Sequence, residues 1–297
     1  MWLSAGRASR DPRLDRVRLG VNVPNFGPGT SPAVLHDWAQ VVEGLGYDLL
    51  MLSDHVVLTP DVTEQYPAPF YEPFTSLAWL AGRTRGITLG TTVVIVPYRH
   101  PLLLARMAAN LADLSGDRLV LGVASGWARQ EFEALGQDHA ARGRVTDEYL
   151  ATLRTAWKDE ADYRAGTTPV WVGGASAAAL RRTVRFGDAW HPLHLSVAEL
   201  RAAPGRLAAA GRDGGRDALP AFAPRIDLDV TAGDVPGGEA RIAGHGSLEQ
   251  VLSDLAELRA LGAESVILDP VRGVPREAAW ASLAAVAARR HELREAP

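Results

Sequence analysis

Asp54 and His55 stand side by side where the apolar run YDLLMLS (47–53) gives out. A carboxylate next to an imidazole can hold or pass a proton near neutral pH, where an unperturbed His titrates. Other polar residues close similar runs: Asn25, Tyr98, Arg99, His100, Ser125, His191, His194, Asp269 and Arg272. They are donors and acceptors without a paired acid or a cluster of metal ligands. A metal-dependent hydrolase would place His-x-His on its first strand, and VNVPNF (21–26) has none. A retaining glycosidase needs two carboxylates flanking one bond, and the run at 118–125 ends in Ala-Ser rather than Glu. No metal is expected. Such a set suits a bound cofactor that carries the difficult chemistry itself. Plainer roles stand beside this one. Asp54 would cap the next segment, Arg99 would bind carbonyls near the following helix, and His191 and His194 would be satisfied core or interface histidines.

The stretch RLVLGVASGW (118–127) sharpens the question. An apolar strand ends in the small residues Ala124, Ser125 and Gly126, and Trp127 follows at once. A bare lip lets a flat ligand approach the backbone. The alternative is a plain turn with Trp127 packed on a neighbouring helix.

These residues need a scaffold that brings strand ends together. Eight strand-like runs recur, at 18–26, 47–53, 87–96, 118–125, 169–174, 188–193, 225–231 and 265–270. Most are solidly apolar, as in strands covered on both faces. Helical stripes lie between them. Ser31-Pro32 opens one with Val34, Trp38, Val41, Val42 and Leu45 on its face. Leu104, Met107, Leu111 and Leu114 make a second, Val251, Leu255 and Leu258 a third after the capping box Ser247–Gln250, and Trp280, Leu283 and Val286 a fourth. Eight alternations predict a single α/β domain, a (β/α)8 TIM barrel over 18–297, with insertions at 54–73 and 126–144 after strands two and four. A doubly wound sheet lacks its GxGxxG after the first strand. Barrel active sites lie at the strand C-terminal ends, where both insertions leave.

Composition narrows the partners. The chain has 297 residues, a net charge of −4, no Cys and a single Lys, Lys158. No basic run points to nucleic acid, and no apolar stretch is long enough to span a bilayer. Absence of Cys removes disulfides, thiolate sites and Cys nucleophiles, and fits a cytoplasmic location. Lys158 lies in a helical pattern, which argues against Schiff-base chemistry. Residues 1–17 read as a poorly ordered leader rather than a targeting signal.

The stretches GYDLLMLSDHVV (46–57), 71–136, TPVWVGGASAAALRRTVRFGDAWHP (168–192) and GSLEQVLSDLAELRALGAESVILD (246–269), in this order and spacing, resemble the bacterial luciferase-like monooxygenase superfamily and, within it, the coenzyme F420-dependent oxidoreductases. The resemblance implies a TIM barrel holding a flavin or deazaflavin in its mouth, and a homodimer formed through helices near 72–83 and 101–114. It implies that Asp54 and His55 lie beside the ring. It implies a bulge with a non-prolyl cis peptide at Thr92-Val93 behind the ring, and Ala124, Ser125, Gly126 and Trp127 along one edge. Gly173, Gly174, Ala175 and Ser176 match the loop that takes the phosphate. Small residues before a helix N-terminus suit an anion, although a simple Gly turn capped by Ser176 has the same appearance. One departure stands out. Sugar-phosphate dehydrogenases of the superfamily carry an acid where Trp127 stands, so acid catalysis from that position is excluded and an apolar or aromatic substrate is expected.

The resemblance and the residues together lead to hydride transfer between F420 and a small organic substrate. His55 would donate or accept the proton, with Asp54 orienting the ring or His55. Trp127 and Tyr98 would wall the substrate pocket, and Arg99 and His191 would complete it. FMN is the alternative cofactor, in a monooxygenase. A non-catalytic flavin-binding protein is a second alternative, which would seal the mouth with side chains from 126–144.

Overall fold

Apolar runs capped by Gly or Pro on either side make short strands that helices cover from outside. The computed structural model describes residues 17–159, 168–270 and 273–293. The expected leader, apart from its buried last residue Val17, and the strand-end Arg272 lie outside the described residues. The strands are β1 (Arg18–Asn22), β2 (Leu49–Leu52), β3 (Thr88–Thr91), β4 (Val94–Ile95), β5 (Leu119–Ala124), β6 (Val170–Gly173), β7 (Ala189–His191), β8 (Ala221–Phe222), β9 (Arg225–Val230), β10 (His245–Gly246) and β11 (Ser265–Pro270). All pair in parallel, in the order β10-β9-β11-β1-β2-β3-β5-β6-β7-β8, with β4 beside β5. The segment carrying β8 and β9 touches β7 through Trp190–Phe222 and Leu193–Arg225, and β11 through Ile267–Arg225. That contact closes the ring, and the fold is a TIM barrel.

The eight expected strands are all present. The first ends at Asn22 rather than residue 26, because Pro24 has no N–H for a ladder. The third is split into β3 and β4 around a cis peptide bond at Thr92-Val93. Gly122 on the neighbouring strand is obligatory there, since a Cβ would lie 2.0 Å from the Thr91 carbonyl oxygen.

Among the described residues the helices are, in chain order, α1 (Pro32–Gly44), α2 (Pro60–Thr63), α3 (Pro73–Ala81), α4 (Pro101–Ser115), α5 (Arg129–Ala134), α6 (Arg142–Asp159), α7 (Ala177–Phe186), α8 (Val197–Asp213), α9 (Leu248–Ala260) and α10 (Arg276–Ala288). Ser31 caps α1 and Ser247 with Gln250 forms the capping box of α9, as the sequence indicates. One stripe assignment needs correction. Leu114 is 70% exposed, because it lies about a quarter turn from Leu104, and small residues such as Ala108 and Ala112 carry the buried face of α4 instead. Trp280 is half-buried, edge-on to Trp38 at 5.6 Å. No described helix is long and apolar enough to cross a membrane.

The core has two parts. A large cluster fills the space between strands and helices. A smaller one, Leu49, Met51, Val120, Trp171, Ala189, Ala223 and Ile267, plugs the barrel interior. Strand side chains alternate with period two. One step further along the same inward row therefore come Asn22 above Gly20, Ser53 above Met51, Gly173 above Trp171, His191 above Ala189, Arg225 above Ala223 and Asp269 above Ile267. The floor of the mouth is polar because the sequence changes character at that layer.

Candidate active site

Hydrogen bonds knit this polar layer. Asn22 Nδ2 donates to Asp269 Oδ1 at 2.7 Å, and Arg225 Nε donates to Asp269 Oδ2 at 2.8 Å. Arg225 Nη1 also donates to the Thr92 carbonyl at 2.9 Å, on the residue that begins the cis bond. The Thr92 hydroxyl lies 2.9 Å from His191 Nε2, and His191 Nδ1 lies 2.5 Å from the Ala223 carbonyl. Burial, reinforced by nearby Arg225, lowers the His191 pKa to about 4 despite the bond to Ala223. His191 is thus neutral at pH 7. Its Nδ1–H donates to Ala223 and its Nε2 accepts from Thr92. Burial opposes the charge on Arg225, yet Asp269 outweighs it and raises the guanidinium pKa.

His55 follows β2 and faces the mouth within an aromatic box. Tyr66, Phe70 and Trp127 have ring centroids 4.8, 5.5 and 5.7 Å from it. Its Nδ1 lies 2.6 Å from Glu131 Oε2, and Nε2 has no hydrogen-bond partner among the described residues. Glu131 is fully buried. It accepts from the backbone N–H groups of Val56 at 2.6 Å and Val57 at 3.0 Å, and from the Tyr98 hydroxyl at 2.9 Å. Burial resists ionisation of Glu131, but His55 and these N–H groups prevail and hold its carboxyl below the usual range. Burial and the Glu131 charge push the Tyr98 phenol up, so it stays a neutral donor. The result is a fixed tautomer: whenever the ring is neutral, the buried carboxylate holds a proton on Nδ1 and leaves Nε2 as an acceptor, on a residue that lines a cavity.

That cavity, about 460 Å³, is lined by Asp54, His55, Thr92, Val93, Ala124, Ser125, Gly126 and Trp127 on one side and by Gly173, Gly174, Ser176, Arg142 and Arg182 on the other. Val93 packs on Gly173, where a Cβ would meet its Cγ1 at 3.1 Å. The far end lies at the N-terminus of α7. Ser176 caps it by accepting from Ala179 N at 3.1 Å; of the two guanidiniums at this end, Arg182 is paired with Asp147 at 2.5 Å and donates to the Gly143 carbonyl, and Arg142 donates to the His139 carbonyl. The first N–H groups of the helix, with Arg142 beside them, make that end suit an anion. The two insertions pack on each other at the rim, where Gln130 N donates to Asp61 Oδ2 at 3.0 Å.

Most expected site residues converge here: Asp54, His55, Thr92, Val93, Ala124, Ser125, Gly126, Trp127, Gly173, Gly174 and Ser176 line the one cavity. Several expected roles change. Asp54 does not orient His55. Its carboxylate accepts Arg99 Nη1 at 2.7 Å, Arg99 Nη2 at 2.8 Å and Ile95 N at 2.9 Å, which clamps β4 to the end of β2. Arg99 does not line the cavity; Asp54 and Glu72 occupy its guanidinium. Tyr98 sits behind His55 on Glu131, and His191 lies in the floor layer under Thr92, so neither walls the cavity. Ala175 is turned away, its carbonyl taken by Arg206. Gly126 is small for packing reasons: with φ of 77°, a Cβ would meet Ile95 Cγ2 at 2.6 Å and Phe132 Cε2 at 2.9 Å. Trp127, 41% exposed, stands edge-on to His55 and does wall the site. The sequence reading missed Glu131 and Arg225. Glu131 falls with Ala128, Phe132 and Leu135 on one helical stripe, and Arg225 falls on the inward row of β9.

Comparisons with known proteins bear on this arrangement. A family model described as luciferase-like monooxygenase matches residues 17–234. Over 180 residues the chain is 28% identical to an uncharacterized protein of Mycobacterium tuberculosis, covering 51% of this chain and 62% of that one. Over 171 residues it is 29% identical to the phthiodiolone/phenolphthiodiolone dimycocerosates ketoreductase of Mycobacterium kansasii, covering 50% of this chain and 46% of the ketoreductase. The chain thus matches less than two thirds of the length of either relative. Among solved structures, an F420-dependent secondary alcohol dehydrogenase in complex with an F420–acetone adduct superposes with a TM-score of 0.76 at 13% identity, covering 94% of this chain and 100% of that one. The FMN-bound oxygenating constituent of 3,6-diketocamphane monooxygenase from Pseudomonas putida superposes with a TM-score of 0.73 at 16% identity, covering 95% and 100%. At these identities the likeness is one of fold.

Proposed function

The chain belongs to the luciferase-like monooxygenase family, and we propose that within it the protein is a coenzyme F420-dependent oxidoreductase acting on an organic, apolar or aromatic substrate. The observation that carries this reading is the open Nε2 of His55, backed by buried Glu131, at the wall of a cavity whose opposite end suits a phosphate.

The residues fit a planar phosphorylated cofactor. Val93 would back the ring, Ala124, Ser125 and Gly126 would follow its edge, and Ser176 with the first N–H groups of α7 would take the phosphate, with Arg142 and Arg182 near. When bound, a deazaflavin supplies a carbon centre that exchanges a hydride and reacts poorly with oxygen. The chain supplies the proton chemistry. His55 Nε2 accepts a proton from an alcohol or, once protonated, returns one to a carbonyl oxygen. Glu131 keeps the other ring nitrogen protonated. Trp127 and Tyr66 exclude water from one side of His55.

An FMN-dependent monooxygenase is the second reading, favoured by the FMN-bound oxygenase that shares the fold. A cavity left open by residues 126–144 argues against a storage protein, which needs no room for substrate. Exposed Leu102, Leu103 and Leu114 on α4 support a homodimer, which light scattering after size exclusion would test. Absorbance and fluorescence titration with F420 and with FMN decides the cofactor. We expect F420 to bind at least about tenfold more tightly, a difference of about 1.4 kcal/mol. Tighter FMN would establish the second reading, and binding of neither would refute both.

A further inference from the structure

We infer that Arg206 and Trp190, neither of which lines the cavity, are the positioning residues that make its far end a phosphate site. They hold the Ala175 and Gly174 carbonyl oxygens from behind, so that the loop meets the cofactor phosphate with a backbone N–H. This rests on the phosphorylated-cofactor reading above.

The loop from β6 to α7 runs through Gly174, Ala175 and Ser176. Each of its peptides has an oxygen that repels an anion and an N–H that attracts one. Which of the two faces the cavity decides the sign of the site. The Gly174 carbonyl accepts from Trp190 Nε1 at 2.8 Å, and the Ala175 carbonyl accepts from Arg206 Nη2 at 2.5 Å. Both oxygens are thereby tied away from the cavity, which Gly174 and Ser176 line. The peptides on either side of Ala175 are trans. In a trans peptide the N–H points opposite to the C=O. The bond to Arg206 therefore sends the Ser176 N–H the other way, to the cavity side. That N–H has no acceptor among the described residues, and the Ser176 side chain is already used on Ala179.

The two residues form one layer behind the loop. Trp190 lies between the inward-facing Ala189 and His191, so it points outward and is fully buried. Arg206, on α8, sets its guanidinium 5.3 Å from the centroid of the Trp190 ring. Arg182, at the same end of the cavity, is balanced by Asp147. Arg206 forms no ion pair with a carboxylate among the described residues, so its charge remains available. A charged donor on a carbonyl polarises the peptide, which makes the N–H at its other end a stronger donor.

The test is fluorescence titration of the full chain with two pairs of ligands that differ by a phosphoryl group alone: 8-hydroxy-5-deazariboflavin against its 5′-phosphate, and riboflavin against FMN. The ratio of dissociation constants within a pair reads the phosphate contribution and cancels that of the ring. In the native chain we expect the phosphorylated form to bind at least about thirtyfold more tightly. Arg206→Met keeps an apolar stem over Trp190 and should shrink that ratio at least about tenfold, with the unphosphorylated affinity within about threefold of native. Trp190→Phe keeps an aromatic ring, loses the N–H and should shrink the ratio at least about threefold. The inference is overturned if the native chain does not prefer the phosphorylated form, if whichever variant folds keeps the native ratio, or if the loss falls equally on both members of a pair, as a purely structural role requires. Deazaflavin binding with a ratio indifferent to these variants sinks the inference and leaves the cofactor reading intact. A riboflavin–FMN pair that responds as expected, while the deazaflavin pair does not bind, refutes the F420 reading and leaves the roles of Arg206 and Trp190 standing.

Discussion

Replacing Glu131 by Gln changes one atom and reverses the proton on His55. In the native site Oε1 accepts both backbone N–H groups of the loop after β2, at 2.6 and 3.0 Å, while Oε2 accepts His55 and Tyr98 at 2.6 and 2.9 Å. Gln has the same shape, so its oxygen retains Val56 and Val57 and its amide nitrogen replaces Oε2. The Tyr98 oxygen can accept from that nitrogen. His55 can do so only by moving its proton from Nδ1 to Nε2, which removes the acceptor that faces the cavity. Loss of a positioned base costs about 10²- to 10⁴-fold in rate. We expect kcat for alcohol oxidation to fall within that range. All four bonds to this carboxylate lose their charge assistance, and since a bond to an ion is worth about 1.5–3 kcal/mol against about 1 kcal/mol for a neutral one, stability should also fall by a few kcal/mol. Steady-state kinetics, F420 titration and ¹⁵N NMR of the His55 tautomer measure the three consequences separately. The cofactor affinity should stay within about threefold, under 1 kcal/mol. A variant that keeps full kcat, or one that loses activity with the native tautomer unchanged, would refute the argument.

Other expectations follow from neighbouring contacts. His55→Ala should reduce turnover by about 10²- to 10⁴-fold while leaving the F420 dissociation constant nearly unchanged. Arg99→Met leaves the fully buried Asp54 carboxylate without its guanidinium, and thermal denaturation should show a loss of about 3–5 kcal/mol. His191→Phe removes the contacts to Thr92 and Ala223 and should weaken cofactor binding with little change in the pH dependence of kcat, since His191 is neutral above about pH 4. The folded pKa of Glu131 lies below its ordinary 4.5, so its stabilising contribution is complete above that value and is lost as pH falls through the folded pKa. The stability difference between native protein and Glu131→Gln, read by urea denaturation, should therefore shrink in acid; a difference that grows there would contradict the assignment.

The barrel was legible because its strands are short, apolar and bounded by Gly and Pro, and because capping residues such as Ser31 and Ser247 act over three or four positions. His55 was legible because it directly follows such a strand. What escaped detection acts across the barrel. Arg225 meets Thr92 from 133 residues away and Glu131 meets His55 from 76 residues away. Nothing local distinguishes Glu131 from Glu133, which is exposed on the same helix. Only its place on the stripe of Ala128, Phe132 and Leu135 separates them. Asp54 lines the cavity as expected, but the partnership with His55 that sequence adjacency suggested gives way to the Arg99 clamp. Tyr98, Arg99 and His191 belong to the supporting layer for the same reason: polar residues at strand ends satisfy one another before they meet a ligand.

Arg225 borders the cavity beside His55 and also a larger chamber of about 1040 Å³ over the ends of β1, β9 and β11, and it grips the backbone behind the smaller one. The outer walls of the larger chamber come from connecting segments, at Phe26 and Val274, which can be exchanged without touching that grip. Diversification of such an enzyme would proceed by rebuilding those segments, whereas Arg225, Asp269 and Thr92 would have to be inherited together.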